Sequence, residues 1–252
     1  MTQQSQHPLD GQVAVIAGGT GGIGFASAKR LAAAGARIVL LTRGDAARAQ
    51  AMTAELPGAE HGAVSARLDD SASVREAAAT VQARWGRVDI LVNSGGMTKA
   101  VAHNDLEALD DALIDEIFVA NWRIPFATIR AFAPLLRASG NGLVVNISSI
   151  AATTGIGSNV AYCASKAGLD IMANSLGRAL APEIRIVSVS PGAVDTTFVP
   201  GRDAVWNAKQ ASTTPLKRIG TPDDVAGVVE ACATTMKFVT GTTIQVDGGR
   251  HL

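Results

Sequence analysis

The sequence predicts an α/β protein: a doubly wound parallel sheet of seven strands with helices on both faces. Seven apolar runs of strand length alternate with Ala-rich helical stretches along the chain, the pattern of strands joined by crossover helices. Successive residues within the runs are apolar, as expected of strands buried from both sides. No Pro/Gly/Ser-rich boundary, repeat or low-complexity tract interrupts the 252 residues, so one domain over 1–252 is expected, and 47% apolar residues suffice for one large core.

The first strand, 13–17, runs into Ala17-Gly18-Gly19-Thr20-Gly21-Gly22-Ile23-Gly24, and a helix is expected over 25–34. A glycine turn between strand and helix lets the backbone approach a pyrophosphate, and the helix N-terminus offers free N–H groups and a positive dipole. Two frames fit: Gly19, Gly21 and Gly24 as G-x-G-x-x-G, or Gly18, Gly22 and Gly24 as G-x-x-x-G-x-G. The second strand, 37–42, ends at Thr42, eighteen residues after Gly24, and Arg43 follows directly. An NAD site wants a carboxylate at this point for the ribose 2′-hydroxyl, whereas an NADP site prefers a nearby arginine for the 2′-phosphate. Thr42 and Arg43 therefore favour NADP (NADPH) over NAD.

The third strand, 63–68, leads to Leu68 and Asp69; the fourth, 89–93, leads to Asn93-Ser94-Gly95-Gly96. The fifth, 143–148, is followed by Ser149, and the sixth, 184–190, by Pro191-Gly192. The stretch 193–216 reads as one long irregular segment, of the kind that forms a lid or binding loop. The seventh strand is 243–246.

Bulk properties exclude several classes of function. With 22 basic and 22 acidic residues the net charge is zero and no basic cluster occurs, so neither nucleic acid nor an anionic membrane is an expected partner. No apolar stretch approaches the roughly 20 residues of a membrane span, and the polar first ten residues do not read as a secretory signal. Cys163 and Cys232 make no disulfide framework and fit a reducing, cytoplasmic setting. His7, His61, His103 and His251 show no ligand spacing, so no metal site is expected.

Tyr162 is the only tyrosine and precedes Lys166 by four residues. On a helix these positions share a face, so phenol and ammonium can enter one cleft. A phenol ordinarily titrates near ~10, and about 4 kcal/mol of preferential phenolate stabilisation would bring it to work near pH 7. A partly desolvated ammonium beside it supplies stabilisation of that sign. Taken alone, the pair also fits a buried tyrosine that happens to meet a lysine.

Gly18-x-x-x-Gly22-Ile23-Gly24, Asp69, Asn93-Ser94-Gly95-Gly96, Asn121, Ser149, Tyr162-x-x-x-Lys166, Pro191-Gly192 and Val246-Asp247-Gly248-Gly249 together resemble the short-chain dehydrogenase/reductase family, in order and spacing, over nearly the whole chain. The single-domain branch of about 250 residues, which includes 3-oxoacyl reductases, is the nearest likeness. The resemblance implies a Rossmann-like sheet, a nicotinamide cofactor and hydride transfer between an alcohol and a carbonyl. It implies that Tyr162 is the general acid or base, that Lys166 lowers its pKa and holds the ribose, and that Ser149, thirteen residues before Tyr162, bonds the substrate oxygen. Asn121 would hold a relay water. The turn from Gly18 through Gly19, Thr20, Gly21, Gly22 and Ile23 to Gly24 would bind the dinucleotide, with Thr42, Arg43, Leu68 and Asp69 at the adenosine end. Asn93 and Gly95 would close the pocket, and Pro191, Gly192, Val194 and Thr196 would hold the carboxamide. The family is commonly tetrameric, so a homotetramer is implied, with 240–252 at a contact.

Three departures from the family pattern stand out: Asn-Ser-Gly-Gly at 93–96 in place of Asn-Asn-Ala-Gly, Val187 where asparagine is common, and 180–185, one residue shorter than the common loop. For substrate, a small ketone or secondary alcohol is expected, its pocket shaped by 151–159, Phe198, Val199 and Trp206, with Arg202 and Lys209 as candidates for an anionic group. A carrier-bound 3-oxoacyl thioester is the alternative, and a non-catalytic dinucleotide-binding redox sensor is an alternative of another class.

Overall fold

The computed structural model describes residues 7–199 and 203–252. Its centre is a sheet of seven parallel strands: β1 (Val13–Ala17), β2 (Arg37–Thr42), β3 (Gly62–Ser65), β4 (Ile90–Asn93), β5 (Gly142–Ile147), β6 (Ile184–Pro191) and β7 (Thr242–Val246), in the order β3-β2-β1-β4-β5-β6-β7. The order reverses between β1 and β4, the position at which sheets of this kind open a crevice at their carboxyl ends.

Alternation along each strand divides the core into two layers. Val13, Val15 and Ala17 of β1 face one side, against α3 (Ser71–Trp85), α5 (Ile124–Ala138) and α7 (Val160–Ala179), where Val81, Phe132 and Met172 are buried. Ala14 and Ile16 face the other, against α1 (Gly22–Ala33) and α9 (Pro222–Thr234), where Leu31 and Val229 are fully buried. Each fully buried Leu, Val or Phe contributes about 1.5–3 kcal/mol of apolar transfer. The remaining helices are α2 (Ala46–Thr53), α4 (Asp111–Phe118), the single turn α6 (Ala151–Thr154) and α8 (Ala204–Thr213).

Three local expectations change, and a fourth feature was not anticipated. β3 ends at Ser65 rather than 68, because its one partner ends: Thr42 pairs with Ser65, the Thr42 carbonyl takes a last bond from Ala66 N at 2.8 Å, and β2 goes no further. Helix α1 starts at Gly22, so two glycines of the turn belong to the helix. The segment 193–216 is not irregular throughout, since it contains α8, opened by Asp203, whose carboxylate accepts from Trp206 N at 2.8 Å. Val194, near its start, forms a parallel bridge with Gly220, just past its end. Finally, α4 and α5 are joined through a π-helical turn, Val119–Arg123, that places Asn121 fully inside the protein.

Candidate functional site

The first turn is held by contact as much as by chain flexibility. Gly18 has φ +77°, and a Cβ there would lie 2.6 Å from Gly95 N. A Cβ on Gly24 would lie 2.3 Å from Gly18 O, so helix and turn touch with no room for a side chain. The turn delivers α1 with Gly21 at its N-cap, no side-chain cap and no acidic residue in its first turn. The N–H groups of that end, with their share of helix dipole, point where an anion is stabilised.

Tyr162 and Lys166 stand on the first turns of α7, which Asn159 caps by accepting from Tyr162 N at 2.7 Å. Asn159 is itself anchored across the cleft by donating to the Lys99 carbonyl at 2.8 Å. Tyr162 is nearly buried, and its ring is tilted against Phe198 with centroids 6.3 Å apart. The Lys166 ammonium lies 5.8 Å from the Tyr162 ring centroid and donates to the Ile147 carbonyl at 2.8 Å. Burial pulls its pKa down from the usual lysine range to about 8, opposed by the carboxylate of Asp170 one turn further along. Burial likewise pushes the Cys163 thiol up, which suits a packing residue better than a nucleophile.

Tyr162 and Lys166 line one cleft of about 770 Å³ at the carboxyl ends of the strands. Gly21, Gly22 and Ile23 form one end of its wall, Ser149, Tyr162 and Lys166 another part, and Pro191, Gly192, Val194 and Thr196 a third. Gly95 lines it too. Both Ser148 and Ser149 reach the cleft; Ser149 Oγ accepts from Ala151 N at 3.2 Å, while Ser148 is buried and its Oγ meets the Lys166 carbonyl at 3.5 Å.

Other expected residues lie outside this wall. Asn93 is buried beneath it, donating to Asn146 Oδ1 at 2.9 Å and accepting from Thr128 Oγ1 at 2.7 Å, so its side chain ties β4 to β5 and α5. Asn121 spends its side chain on the backbone of Met97, accepting from N at 3.2 Å and donating to O at 2.8 Å, which leaves any water contact to its main chain. Thr42 and Arg43 close the far end of β2: Thr42 is buried and its hydroxyl accepts from Gly44 N at 3.1 Å, while Arg43 is exposed. The nearest acid, Asp45, is turned away to cap α2, accepting from Ala47 N at 2.8 Å and Arg48 N at 3.1 Å. Leu68 is buried and Asp69 exposed beyond β3, where the Asp69 carbonyl accepts from Arg123 at 3.3 Å. Gly18, Gly19, Thr20 and Gly24 form the turn behind the wall. Lys209 is exposed and outside the cleft, and Arg202 lies outside the described residues.

Gln210, Thr213 and Arg250 also line the cleft, and the sequence singles out none of them. The first two stand four and seven residues after Trp206 on α8, one face of that helix; the Asp203 cap was the available signal. Arg250 has no local signal, because only the fold brings the chain after β7 beside α8.

A glycine turn feeding an uncapped helix, opening on the same cleft as a buried Tyr-Lys pair at the carboxyl ends of a parallel sheet, defines a dinucleotide-dependent oxidoreductase. A family model described as enoyl-(acyl carrier protein) reductase, of the short-chain alcohol dehydrogenase type, matches residues 17–251. A protein of Streptomyces violaceoruber whose name places it in granaticin polyketide synthesis as a ketoacyl reductase is 36% identical over 242 residues, covering 95% of this chain and 96% of that one. The D-threitol dehydrogenase of Mycolicibacterium smegmatis is 33% identical, covering 96% and 93%. The crystal structure of a short-chain dehydrogenase/reductase of the glucose/ribitol dehydrogenase type from Brucella melitensis superposes with a TM-score of 0.90 at 29% identity, covering 98% of this chain and all of that one. The chain belongs to the short-chain dehydrogenase/reductase family and is an oxidoreductase of the NAD(P)-binding kind. No helix among the described residues is long and apolar enough to cross a membrane.

Proposed function

We propose that this protein reduces a ketone to a secondary alcohol, and catalyses the reverse, as a single NADP-dependent catalytic domain spanning 1–252. The observation that carries the reading is Tyr162 and Lys166 on one helix face, in the same cleft as the uncapped N-terminus of α1, with the lysine buried. The residues fit a nicotinamide dinucleotide: Gly21, Gly22 and Ile23 would hold the pyrophosphate, Thr42, Arg43, Leu68 and Asp69 the adenosine end, and Pro191, Gly192, Val194 and Thr196 the carboxamide. Bound NADPH supplies the hydride. Tyr162 gives its phenolic proton to the carbonyl oxygen during reduction and removes it during oxidation; Ser149 donates a hydrogen bond to that oxygen as charge builds there. Lys166 stabilises the phenolate and reaches the ribose, and Asn121 positions the relay water through its main chain.

NADP over NAD is supported by an exposed arginine at the end of β2 and by an acid, Asp45, committed to its own helix. The half-exposed strand β7 at the sheet edge supports a homotetramer, the balanced charge a small-molecule substrate, and the free thiols of Cys163 and Cys232 a reducing, cytoplasmic setting. A 3-oxoacyl thioester is the second reading, favoured by the ketoacyl and 3-oxoacyl-(acyl carrier protein) reductases among the relatives.

Tyr162→Phe tests the assignment. NADPH binding, followed by fluorescence, should be retained, while turnover of an activated ketone should fall by about 10²–10⁴-fold. No second phenol exists to rescue it, so turnover within tenfold of wild type rejects Tyr162 as the acid.

A further inference from the structure

We infer that the carbonyl substrate carries a carboxylate and that Arg250 binds it, a specificity assignment that rests on the ketone-reductase reading above. Among the described residues the cleft wall holds two cations, Lys166 and Arg250, and no acid. Lys166 is drawn into the protein by the Ile147 carbonyl. Arg250 is the cation left for substrate, at the part of the cleft walled by α8.

Its position is built. After β7 the chain turns on Gly248 and Gly249, at φ +64° and +84°, conformations that a side chain would strain. Asp247 fixes that turn: one carboxylate oxygen accepts from Gly249 N at 2.9 Å, and the other from His251 N at 2.8 Å, with His251 Nδ1 also within 2.7 Å. The acid nearest in sequence is thereby engaged by its own turn. Arg250, thus presented, donates from Nη1 to the Gln210 carbonyl at 3.2 Å, to Thr213 Oγ1 at 2.9 Å and to Thr214 Oγ1 at 3.3 Å, and from Nη2 to Gln210 Oε1.

Every one of these partners is neutral. They orient the guanidinium without cancelling its charge, and Nε–H and the second Nη2 hydrogen have no acceptor among the described residues. A guanidinium has five donors in a rigid fork that matches a carboxylate with two parallel bonds. Phe198, Val199 and Trp206 add apolar surface to the lining of the same cleft. Away from bulk water a charge pair and its hydrogen bonds gain strength. The cleft is therefore suited to an oxo acid with an apolar chain between the reacting carbonyl and the acid.

The test uses full-length protein with NADPH and straight-chain 3-, 4-, 5- and 6-oxo acids, each against its methyl ester. At least one acid should exceed its ester by tenfold or more in kcat/KM. Arg250→Gln should lower kcat/KM for that acid at least tenfold more than for its ester, through KM, and Arg250→Lys should restore part of the difference. Equal kcat/KM for acids and esters in wild type overturns the assignment. So does an equal loss on both in Arg250→Gln, which would make the arginine a tether for α8 only. Calorimetric binding of hexanoate to the NADP-loaded protein keeps the two readings apart. Arg250-dependent hexanoate binding without turnover of any ketone would preserve the carboxylate site and sink the reductase reading; ketone turnover without such binding would do the reverse.

Discussion

Gly18, behind the cleft wall, packs against Gly95, which lines it, and the same substitution should have opposite signs at the two positions. Adding a Cβ to Gly18 puts it 2.6 Å from Gly95 N and 2.8 Å from Gly95 Cα, both backbone atoms, at φ +77°. The left-handed conformation costs an alanine about 1–2 kcal/mol, and forcing a methyl group into packed backbone costs roughly 1–3 more. Gly18→Ala should therefore lose about 2–5 kcal/mol. A Cβ on Gly95 meets only Gly18 Cα at 3.9 Å, an ordinary contact, and the residue has no positive φ. Gly95→Ala should gain about 0.4–1 kcal/mol by restricting the unfolded chain. For a chain of this size 1 kcal/mol moves Tm by roughly 2–4 °C. Calorimetric scans at one fixed protomer concentration should place Gly18→Ala at least ~4 °C below wild type and Gly95→Ala at or above it. Equal shifts of the same sign would show that the two turns are not in the contact described. The alanine usual at this place in the family is thus sterically admissible here.

Lys166→Met should abolish turnover yet raise stability at pH 7. The folded pKa of about 8 lies below the unfolded value of 10.5, so between these values the unfolded chain binds more protons and wild-type stability rises with pH. The difference corresponds to about 3 kcal/mol at neutral pH, before loss of the bond to Ile147. The advantage of the methionine variant should shrink as pH rises from 8 toward 10.5, and a constant gap across urea titrations at several pH values would contradict a buried ammonium. Arg43→Ala should weaken NADPH by about 10–100-fold, the worth of a charged hydrogen bond, and NADH less than threefold; equal losses in fluorescence titrations would remove Arg43 from the 2′-phosphate.

The sheet was legible because each strand declares itself twice, by continuous apolarity and by the motif at its carboxyl end. β1 and β2 fall at the expected residues. What sequence did not show depends on neighbours. The length of β3 is set by where β2 stops, since an edge strand has one partner to bond. The π-helical turn at Asn121 is invisible to a 3.6-residue periodicity, and the clamp made by the buried Asn93 side chain depends on Asn146 and Thr128, which approach it from β5 and α5. Tyr162 and Lys166 were readable because four residues on a helix is a local distance. Arg250 and Gln210 were not, because 40 residues separate them in the chain.

The reversal of strand order between β1 and β4 splits the crevice between two separate peptide suppliers. Thr42 ends β2, and Arg43 and Asp69 follow β2 and β3, whereas Ser149, Tyr162, α8 and Arg250 follow β5, β6 and β7. Three strands lie between β2 and β6, some ~19 Å at the usual spacing. Under the proposed roles, coenzyme preference and substrate choice are written in segments too far apart to share a partner. Substitutions at Arg43 and Arg250 should then combine multiplicatively, and descendants of one such chain could exchange either property while inheriting the other intact.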